Sequence, residues 1–289
     1  RPMVMLADDG ILTEEYRKLA STCQLSPMLA AGLSLETAVE RAIAAAPHRP
    51  VVAICNTVAT ATATGVCRDR DLPVVQLINE LPTTIRANGW EDQVFGISGS
   101  ARQMIFVSEF SKQAFVREFD LPTSRCAVVH PGWLGETIDP KDRPAVRRRI
   151  RRELGIPESA MVALGCGQIH PRKGVDLFLQ TAARALGRAG TENLHFVWIG
   201  DGTDEHTRWI RHDLELLDHA DRIHLIPSRA DVNPWFEGAD VFVLSSREDP
   251  YPIVGIQAMA SGLPVLAFDR CGGAPEAIAE GGGRSIAFP

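Results

Sequence analysis

The segment 245–269, SSREDPYPIVGIQAMASGLPVLAFD, places a carboxylate and a helix start at a short fixed spacing. Asp249 is followed by Pro252, which suits the first turn of a helix because its missing N–H would be unpaired there. The backbone N–H groups of Ile253, Val254 and Gly255 then point at solvent and form a site for a phosphate or diphosphate. Because Asp249 would repel phosphate, we expect it to accept hydrogen bonds from hydroxyls, as on a sugar.

The helix after this loop is predicted over 252–261. It should turn Ile253, Ile256 and Met259 toward a sheet, while Gln257, near its N-terminal end, faces the ligand. An ordinary turn or cap role for Asp249 is the alternative interpretation.

Two apolar strands must position this loop. Residues 239–244 precede it and residues 263–268 follow its helix. Asp249 therefore lies where a strand ends and a helix begins, and in open α/β sheets this is where ligands bind.

A second loop carries two cations. The predicted strand 162–165 leads into CGQIHPRKG and then into a helix, so Arg172 and Lys173 lie at a strand-to-helix junction. Two cations there can neutralise a diphosphate. A solvated basic turn is the alternative, and the P-loop spacing is absent.

Strands alternate with helices along the chain, which predicts parallel sheets with crossover helices. Strands are predicted at 51–55, 74–78, 104–107, 127–129, 162–165, 195–199, 223–226, 239–244 and 265–268. Helices are predicted at 35–46, 57–68, 109–119, 142–154, 173–188, 203–217 and 253–261. The stretch HPGWL at 130–134, with the polar residues up to Arg143, predicts an interdomain linker.

Composition narrows the function classes. A chain of 289 residues with 45% hydrophobic residues accommodates about two domains, and its net charge of -6 argues against a nucleic-acid partner. There is no run of 18 apolar residues that would suggest a membrane span. The six cysteines show neither a CxxC pair nor metal-ligand spacing, so we expect reduced thiols, no metal site and a cytoplasmic protein.

Four blocks in one order, CGQIHPRKGVDLFL, FVWIGDG, ADVFVLSSREDPYPIVGIQAMASGLPVLAF and GGAPEAI, resemble the C-terminal donor domain of family-four retaining glycosyltransferases with the GT-B fold. IFVSEFSKQAF and VVHPGWL in the N-terminal half resemble the same family more weakly. The resemblance implies an α/β fold with two Rossmann-like domains of GT-B type and parallel sheets. We expect an N-terminal acceptor-side domain over 1–134, incomplete because the chain looks truncated or partial, and a nucleotide-sugar donor-binding domain over 135–289.

The resemblance assigns roles in the first donor loop. Lys173, which precedes Gly174, matches the basic residue that holds the nucleotide diphosphate. Gln168 stands where relatives carry a partner Arg, so half of the usual cationic clamp is missing, and Arg172 or His170 is the candidate to compensate.

The resemblance also assigns roles in the second loop. Asp249 and Gln257 take the places of two Glu residues separated by seven others, so Asp249 is expected near the donor sugar hydroxyls and Gln257 on the nucleotide ribose. Glu276 matches a position near the donor, although it could equally cap its own helix. In the N-terminal half, where relatives place a His facing the reacting sugar, QLINELP offers Asn79 and Glu80.

The family implies transfer of a sugar, with retention, from a nucleotide diphosphate sugar to a glycan or lipid-linked acceptor, as in polysaccharide biosynthesis. The donor is a substrate, and no cofactor or metal is expected. Lys173, Arg172 and the amides of Ile253 and Val254 would stabilise the departing diphosphate. The alternatives are a catalytically weakened GT-B protein that binds nucleotide sugar, and a sugar-nucleotide epimerase.

A basic run follows the predicted linker. Arg147, Arg148, Arg149, Arg151 and Arg152 are interpreted as the solvated face of a helix. The alternative is peripheral contact with an anionic membrane or a lipid-phosphate acceptor, which would place the protein at the inner face of the membrane.

Overall fold

The computed structural model describes residues 2–10, 12–133, 135, 137–279 and 281–288. The chain forms two units, one of Arg1–Val107 and Ser111–Val129, the other of Ser108–Phe110 and His130–Pro289. Leu134, the last residue of the predicted N-terminal domain, lies outside the described residues. The acceptor-side and donor-side roles of the two domains stay predictions.

The first unit is built around a parallel four-stranded sheet. Its elements in chain order are β1 (Met3–Leu6), α1 (Thr13–Leu19), β2 (Ser21–Gln24), α2 (Ser26–Ala30), α3 (Leu35–Ala44), β3 (Ala53–Asn56), α4 (Ala61–Asp69), β4 (Val74–Ile78), α5 (Pro82–Asn88), α6 (Glu91–Ser100), β5 (Gln103–Phe106), α7 (Glu109–Phe119) and β6 (Cys126–Val128). The strand order is β3-β4-β5-β6, and β1 pairs with β2 in a separate two-stranded parallel sheet. Ile78, Phe106 and Phe115 are fully buried in one cluster, so the apolar residues of the strands and of α7 form its core.

The second unit has a parallel sheet of six strands. Its elements are α8 (Arg143–Leu154), β7 (Met161–Cys166), α9 (Val175–Leu186), β8 (Leu194–Ile199), α10 (Asp204–Glu215), β9 (Ile223–Ile226), α11 (Asn233–Gly238), β10 (Val241–Leu244), α12 (Ile253–Ala260), β11 (Val265–Phe268), α13 (Ala274–Ile278) and β12 (Gly283–Ile286). The strand order is β12-β11-β10-β7-β8-β9.

This order creates a switch point beside β7. The chain proceeds from β7 through β8 to the edge strand β9, then returns to place β10 on the other side of β7. The connections after β7 and β10 therefore diverge, and the carboxyl ends of these two strands flank a crevice. In doubly wound sheets such a crevice is the place where ligands bind.

The periodic segments were predicted closely, and the irregular ones were missed. The strands expected at 195–199, 223–226 and 265–268 match β8, β9 and β11, whereas the helix expected at 57–68 opens with a 3-10 turn, Val58–Thr60, before α4. The edge strand β12 was missed because its sequence, GRSI, is exposed throughout and carries no apolar pattern. Among the described residues, no helix is both long and apolar enough to span a bilayer.

The basic run on α8 is not a uniformly solvated face. Arg151 is 0% exposed. Its Nε and Nη2 atoms donate to the carbonyl oxygen of Ala160 at 3.0 and 2.9 Å, and Nη2 also reaches Asp240 Oδ2 at 2.7 Å. The prediction of solvent exposure is therefore wrong for Arg151, because the carboxylate and the carbonyl compensate its buried charge.

We expect the stability of the second unit to fall in mild acid because His195 is buried and His224, on the neighbouring strand, is partly buried. His195 Nδ1 lies 3.3 Å from His224 Nε2, and burial lowers the pKa of both side chains. Below the ordinary histidine pKa of about 6.5, the unfolded chain takes up protons that the folded pair resists. Stability is therefore fully kept above about pH 6.5 and declines as the pH falls below it.

Thermal melts at pH 7.5 and 5.5 measure this effect. His224→Gln should reduce the drop in Tm, whereas His212→Gln, at an exposed position on α10, should leave it as in the unmodified protein. An identical pH dependence in all three proteins would show that the histidine pair does not control it.

Candidate functional site

The loops after β7 and β10 are joined by backbone hydrogen bonds at the switch point. The N–H groups of Arg247 and Glu248 donate to the carbonyl oxygen of Arg172 at 2.9 and 3.4 Å. In return, Arg172 Nη1 donates to the carbonyl oxygen of Glu248 at 2.9 Å. The two loops, which are far apart in sequence, therefore form one platform.

Gly174 allows a close approach of the two loops of this platform. It has a φ of 64°, and a Cβ atom at this position would collide with the carbonyl oxygen of Ser245. Ser245 Oγ donates to the carbonyl oxygen of Lys173 at 3.2 Å. A residue with a side chain at position 174 would separate the loops, so this glycine fixes Lys173 against the end of β10.

Lys173 and Asp249 form an ion pair at the centre of the platform through Nζ and Oδ2. Their side chains are 18% and 7% exposed, and Arg172 Nη1 lies 3.9 Å from the same carboxylate oxygen. The backbone of Asp249 is also fixed, because its N–H donates to the carbonyl oxygen of Cys271 at 2.7 Å. The site thus combines cations with a carboxylate that is almost completely buried.

Such a pair can bind two different groups at once. A lysine ammonium has three hydrogens, so Lys173 can keep Asp249 as a partner and still donate to an anionic oxygen. The carboxylate of Asp249 has a second oxygen, which can accept a hydrogen bond from a hydroxyl. The sequence predicted these two roles for two separate loops, and the structure brings both side chains into contact.

Helix α12 begins four residues after Asp249 and supplies backbone donors at its start. Pro252 is the residue before its first turn, and the first intrahelical bond runs from Gly255 N to the Pro252 carbonyl oxygen at 2.9 Å. The N–H groups of Ile253 and Val254 come before any intrahelical acceptor, as expected for a helix start. The amides of Ile253 and Val254 are therefore at the N-terminus of a helix, whereas the prediction of a free N–H is wrong for Gly255, which bonds to Pro252.

The predicted packing face of α12 is wrong in one respect. Ile253 is 39% exposed, whereas Val254, Ala258 and Met259 pack against the core of the second unit. The apolar face is therefore centred on Val254 and Ala258, and Ala258 is fully buried.

Gln257 is buried on α12 and is 6% exposed. Its Nε2 donates to Oδ1 of Asn233, the first residue of α11, at 2.6 Å. The sequence predicts Gln257 as a site residue. It does not predict Asn233, because the segment around it, SRADVNPW, carries no recognisable motif.

Gln168 and His170 contribute no positive charge to the loop after β7. Gln168 is exposed. His170 Nδ1 accepts a hydrogen bond from the N–H of Arg172 at 3.2 Å, and burial together with the charge of Arg172 lowers the pKa of His170. Because an accepting nitrogen carries no proton, His170 does not replace the missing cation, and Arg172 is the remaining candidate.

Arg247 is a structural residue of the site that sequence analysis missed. Its guanidinium binds the carboxylate of Asp176 through both oxygens, at 2.7 and 2.6 Å, and reaches the carbonyl oxygen of Pro171 at 2.9 Å. Asp176 lies in the first turn of α9. This bidentate pair fixes the start of α9 to the loop that holds Asp249.

Glu276 lies on α13 but does not cap that helix. Its carboxylate accepts from the N–H groups of Glu109 and Phe110 at 2.8 and 2.7 Å, and His130 Nε2 lies 3.3 Å away. The alternative that Glu276 caps its own helix is therefore wrong. A contact between Glu276 and a donor stays a prediction.

Asn79 and Glu80 lie at the carboxyl end of β4 in the first unit. Asn79 Nδ2 donates to Asn56 Oδ1 at 2.6 Å, at the end of the neighbouring strand β3. Glu80 accepts from the N–H of Val58 at 3.2 Å, and burial raises the pKa of its carboxyl. These side chains form a polar cluster where two parallel strands end.

No group of three His, Cys, Asp or Glu side chains within the described ranges is arranged to hold a metal ion.

Comparisons with known proteins relate the chain to glycosyltransferases. Residues 160–289 match the family model described as glycosyl transferases group 1. The D-inositol 3-phosphate glycosyltransferase of Corynebacterium glutamicum (strain R) is 32% identical over 173 residues, which cover 58% of this chain and 41% of that protein. The protein of the same name from Streptomyces avermitilis is 30% identical over 192 residues. This match covers 64% of this chain and 40% of the Streptomyces protein. The chain thus spans about two fifths of the length of these curated relatives.

Solved structures share the fold. Anabaena HepE, solved with UDP and glucose, has a TM-score of 0.80 at 19% identity, and the match covers 99% of this chain and 77% of that one. WaaG, a glycosyltransferase involved in lipopolysaccharide biosynthesis, has a TM-score of 0.64 at 17% identity, with coverage of 99% and 86%. The predicted α/β fold with Rossmann-like domains of GT-B type and parallel sheets is confirmed.

Replacement of Gly174 by alanine should destabilise the second unit more than the same change at Gly155. Both glycines have a positive φ, 64° and 68°, but only Gly174 has backbone within reach of an added Cβ. Gly155→Ala should cost about 1 kcal/mol of left-handed strain, and Gly174→Ala should cost roughly 1–3 kcal/mol more through the clash. Urea denaturation gives both free energies of unfolding, and equal losses would contradict the close approach of the two loops.

Proposed function

We propose that this protein is a retaining glycosyltransferase, because residues 160–289 match the family model of the glycosyl transferases group 1. It transfers a sugar from a nucleoside diphosphate to a glycan or lipid-linked acceptor, as in polysaccharide biosynthesis. The observation that carries the proposal is the ion pair of Lys173 and Asp249 beside the N-terminus of α12 at the switch point.

The chemistry of transfer matches the groups in this crevice. The bond from the anomeric carbon to the diphosphate oxygen breaks and its electron pair goes to that oxygen. A bond forms to the acceptor oxygen, whose proton passes to the departing diphosphate. The ammonium of Lys173 and the amides of Ile253 and Val254 stabilise the charge that develops on the diphosphate. Asp249 accepts hydrogen bonds from hydroxyls of the donor sugar.

The related proteins support the substrate classes. The curated relatives are named for transfer to an inositol phosphate, and the HepE structure contains UDP and glucose. We propose a nucleoside diphosphate sugar as donor and propose that no cofactor takes part. A phosphorylated polyol is a third acceptor class to test, in addition to glycans and lipid-linked sugars.

Two alternatives follow from the departures at Gln168 and Gln257. A weakened protein would bind a nucleotide sugar without transferring it, since an exposed Gln168 adds no charge to the diphosphate site. An epimerase would use the same donor crevice and need no acceptor. The experiments below separate these three functions.

A cytoplasmic location is part of the proposal and is supported by six cysteines that are all free thiols.

We expect a panel of UDP-, GDP-, ADP- and dTDP-sugars to raise the Tm of the unmodified protein for one of the nucleotides. Lys173→Ala should lose this shift because the diphosphate loses its ammonium partner. Asp249→Asn should keep the shift from the nucleoside diphosphate but lose the extra shift from the sugar. Removal of one positioned donor should lower the turnover rate by a factor of about 100–1,000.

Lys141→Ala is the matched control, because Lys141 is 75% exposed and outside the platform. Unchanged turnover in both Lys173→Ala and Asp249→Asn would contradict the proposed function. Binding without turnover by the unmodified protein would favour the weakened protein, and epimer formed without an acceptor would favour the epimerase.

We also propose that the protein contacts the membrane surface through Arg148, Arg149 and Arg152, which are exposed on α8. Their combined replacement by glutamine should weaken sedimentation with vesicles rich in phosphatidylserine, by about 1 kcal/mol for each charge. Vesicles of phosphatidylcholine alone serve as the control. Equal sedimentation of the variant and the unmodified protein would exclude this surface.

A further inference from the structure

The side-chain amides of Gln257 and Asn233 form a hydrogen bond, and its direction determines which end of the Gln257 amide is left for a ligand. Gln257 is 6% exposed, and its Nε2 lies 2.6 Å from Asn233 Oδ1. At this burial the side chain of Gln257 has little freedom to rotate without losing a hydrogen bond that would be costly to leave unmade.

A side-chain amide has a donor end and an acceptor end. Because Asn233 presents an oxygen, it holds the donor end of Gln257 and leaves Oε1 as the end available to a ligand. If position 233 presented a donor instead, Gln257 would turn its NH₂ outward, and the site would select an acceptor. The partner at 233 therefore sets the polarity of the site.

The position of Gln257 on α12 places it near the helix start. It lies four residues after Ile253, and therefore on the same face, about 6 Å along the helix axis. Ile253 is on the exposed side of the helix, and its N–H is one of the free donors at the N-terminus. A ligand whose anionic group lies on those donors can extend a neighbouring hydroxyl toward Gln257.

We propose that Asn233 is a positioning residue that orients the amide of Gln257 so that its oxygen accepts a hydrogen bond from a ribose hydroxyl of the bound nucleoside diphosphate. The inference rests on the proposed function, since it requires a nucleotide in this crevice. Asn233 acts through Gln257 and does not itself contact the nucleotide.

The test compares nucleotides that differ by one hydroxyl. Calorimetry measures the Kd of UDP, GDP and ADP and of their 2′-deoxy and 3′-deoxy analogues with the unmodified protein. Loss of one neutral hydrogen bond predicts an affinity about three- to tenfold weaker for one of the two deoxy analogues. The ratio of the deoxy Kd to the ribose Kd then reports the orientation of Gln257.

Two substitutions with side chains of nearly the same shape as asparagine test the role of Asn233. Asn233→Asp can only accept, so it keeps the donor end of Gln257 in place and should preserve the ratio. Asn233→Leu offers no oxygen, so Gln257 loses its fixed orientation and the ratio should fall to about 1. The affinity for the deoxy analogue should stay unchanged in both variants, which shows that the site is folded, and Asn233→Ala replaces the leucine variant if that protein does not fold.

The remaining outcomes overturn the inference in distinguishable ways. A preserved ratio in Asn233→Leu or Asn233→Ala, or a lost ratio in Asn233→Asp, would show that Asn233 does not orient Gln257. A ratio of about 1 in the unmodified protein would show that Gln257 does not meet the ribose, while the proposed function stands. If no nucleoside diphosphate binds the unmodified protein, the proposed function fails and the inference fails with it.

Discussion

The candidate site depends on the ion pair between Lys173 and Asp249, which joins the loops that follow the neighbouring strands β7 and β10. A carboxylate that is 7% exposed would be costly without a cation, and the ammonium compensates it. The pair is maintained by backbone bonds between its two loops and by the bidentate contact of Arg247 with Asp176. The charged groups are therefore preorganised before any ligand arrives, as electrostatic catalysis requires.

Sequence alone predicted the parts of the molecule that local pattern determines. Apolar periodicity located five of the six strands of the second sheet, and Pro252 located the start of α12 because its missing N–H is harmless there. Local pattern placed Lys173 and Asp249 each at the end of a strand, and the family resemblance implied that both serve one donor site. The structure brings them together because the parallel strands β7 and β10 end at the same edge of the sheet.

The rest of the site depends on contacts between distant residues, which one sequence does not reveal. Asn233 meets Gln257 across 24 residues, and Arg247 meets Asp176 across 71. Arg151 belongs to a run that looks solvated, yet Asp240, 89 residues away, holds it in the core. In each of these contacts, the role of the side chain depends on which polar partner the fold brings next to it.

The close approach at Gly174 has a counterpart at Gly272, where a Cβ atom would collide with the carbonyl oxygen of Asp249. The floor of the crevice is therefore made of main chain packed on main chain, which substitution can hardly reshape. Variation that changes the preferred ligand must accumulate in rim side chains such as Gln168 and Arg172. A homologue could thus acquire a new substrate while its loops keep the same backbone path.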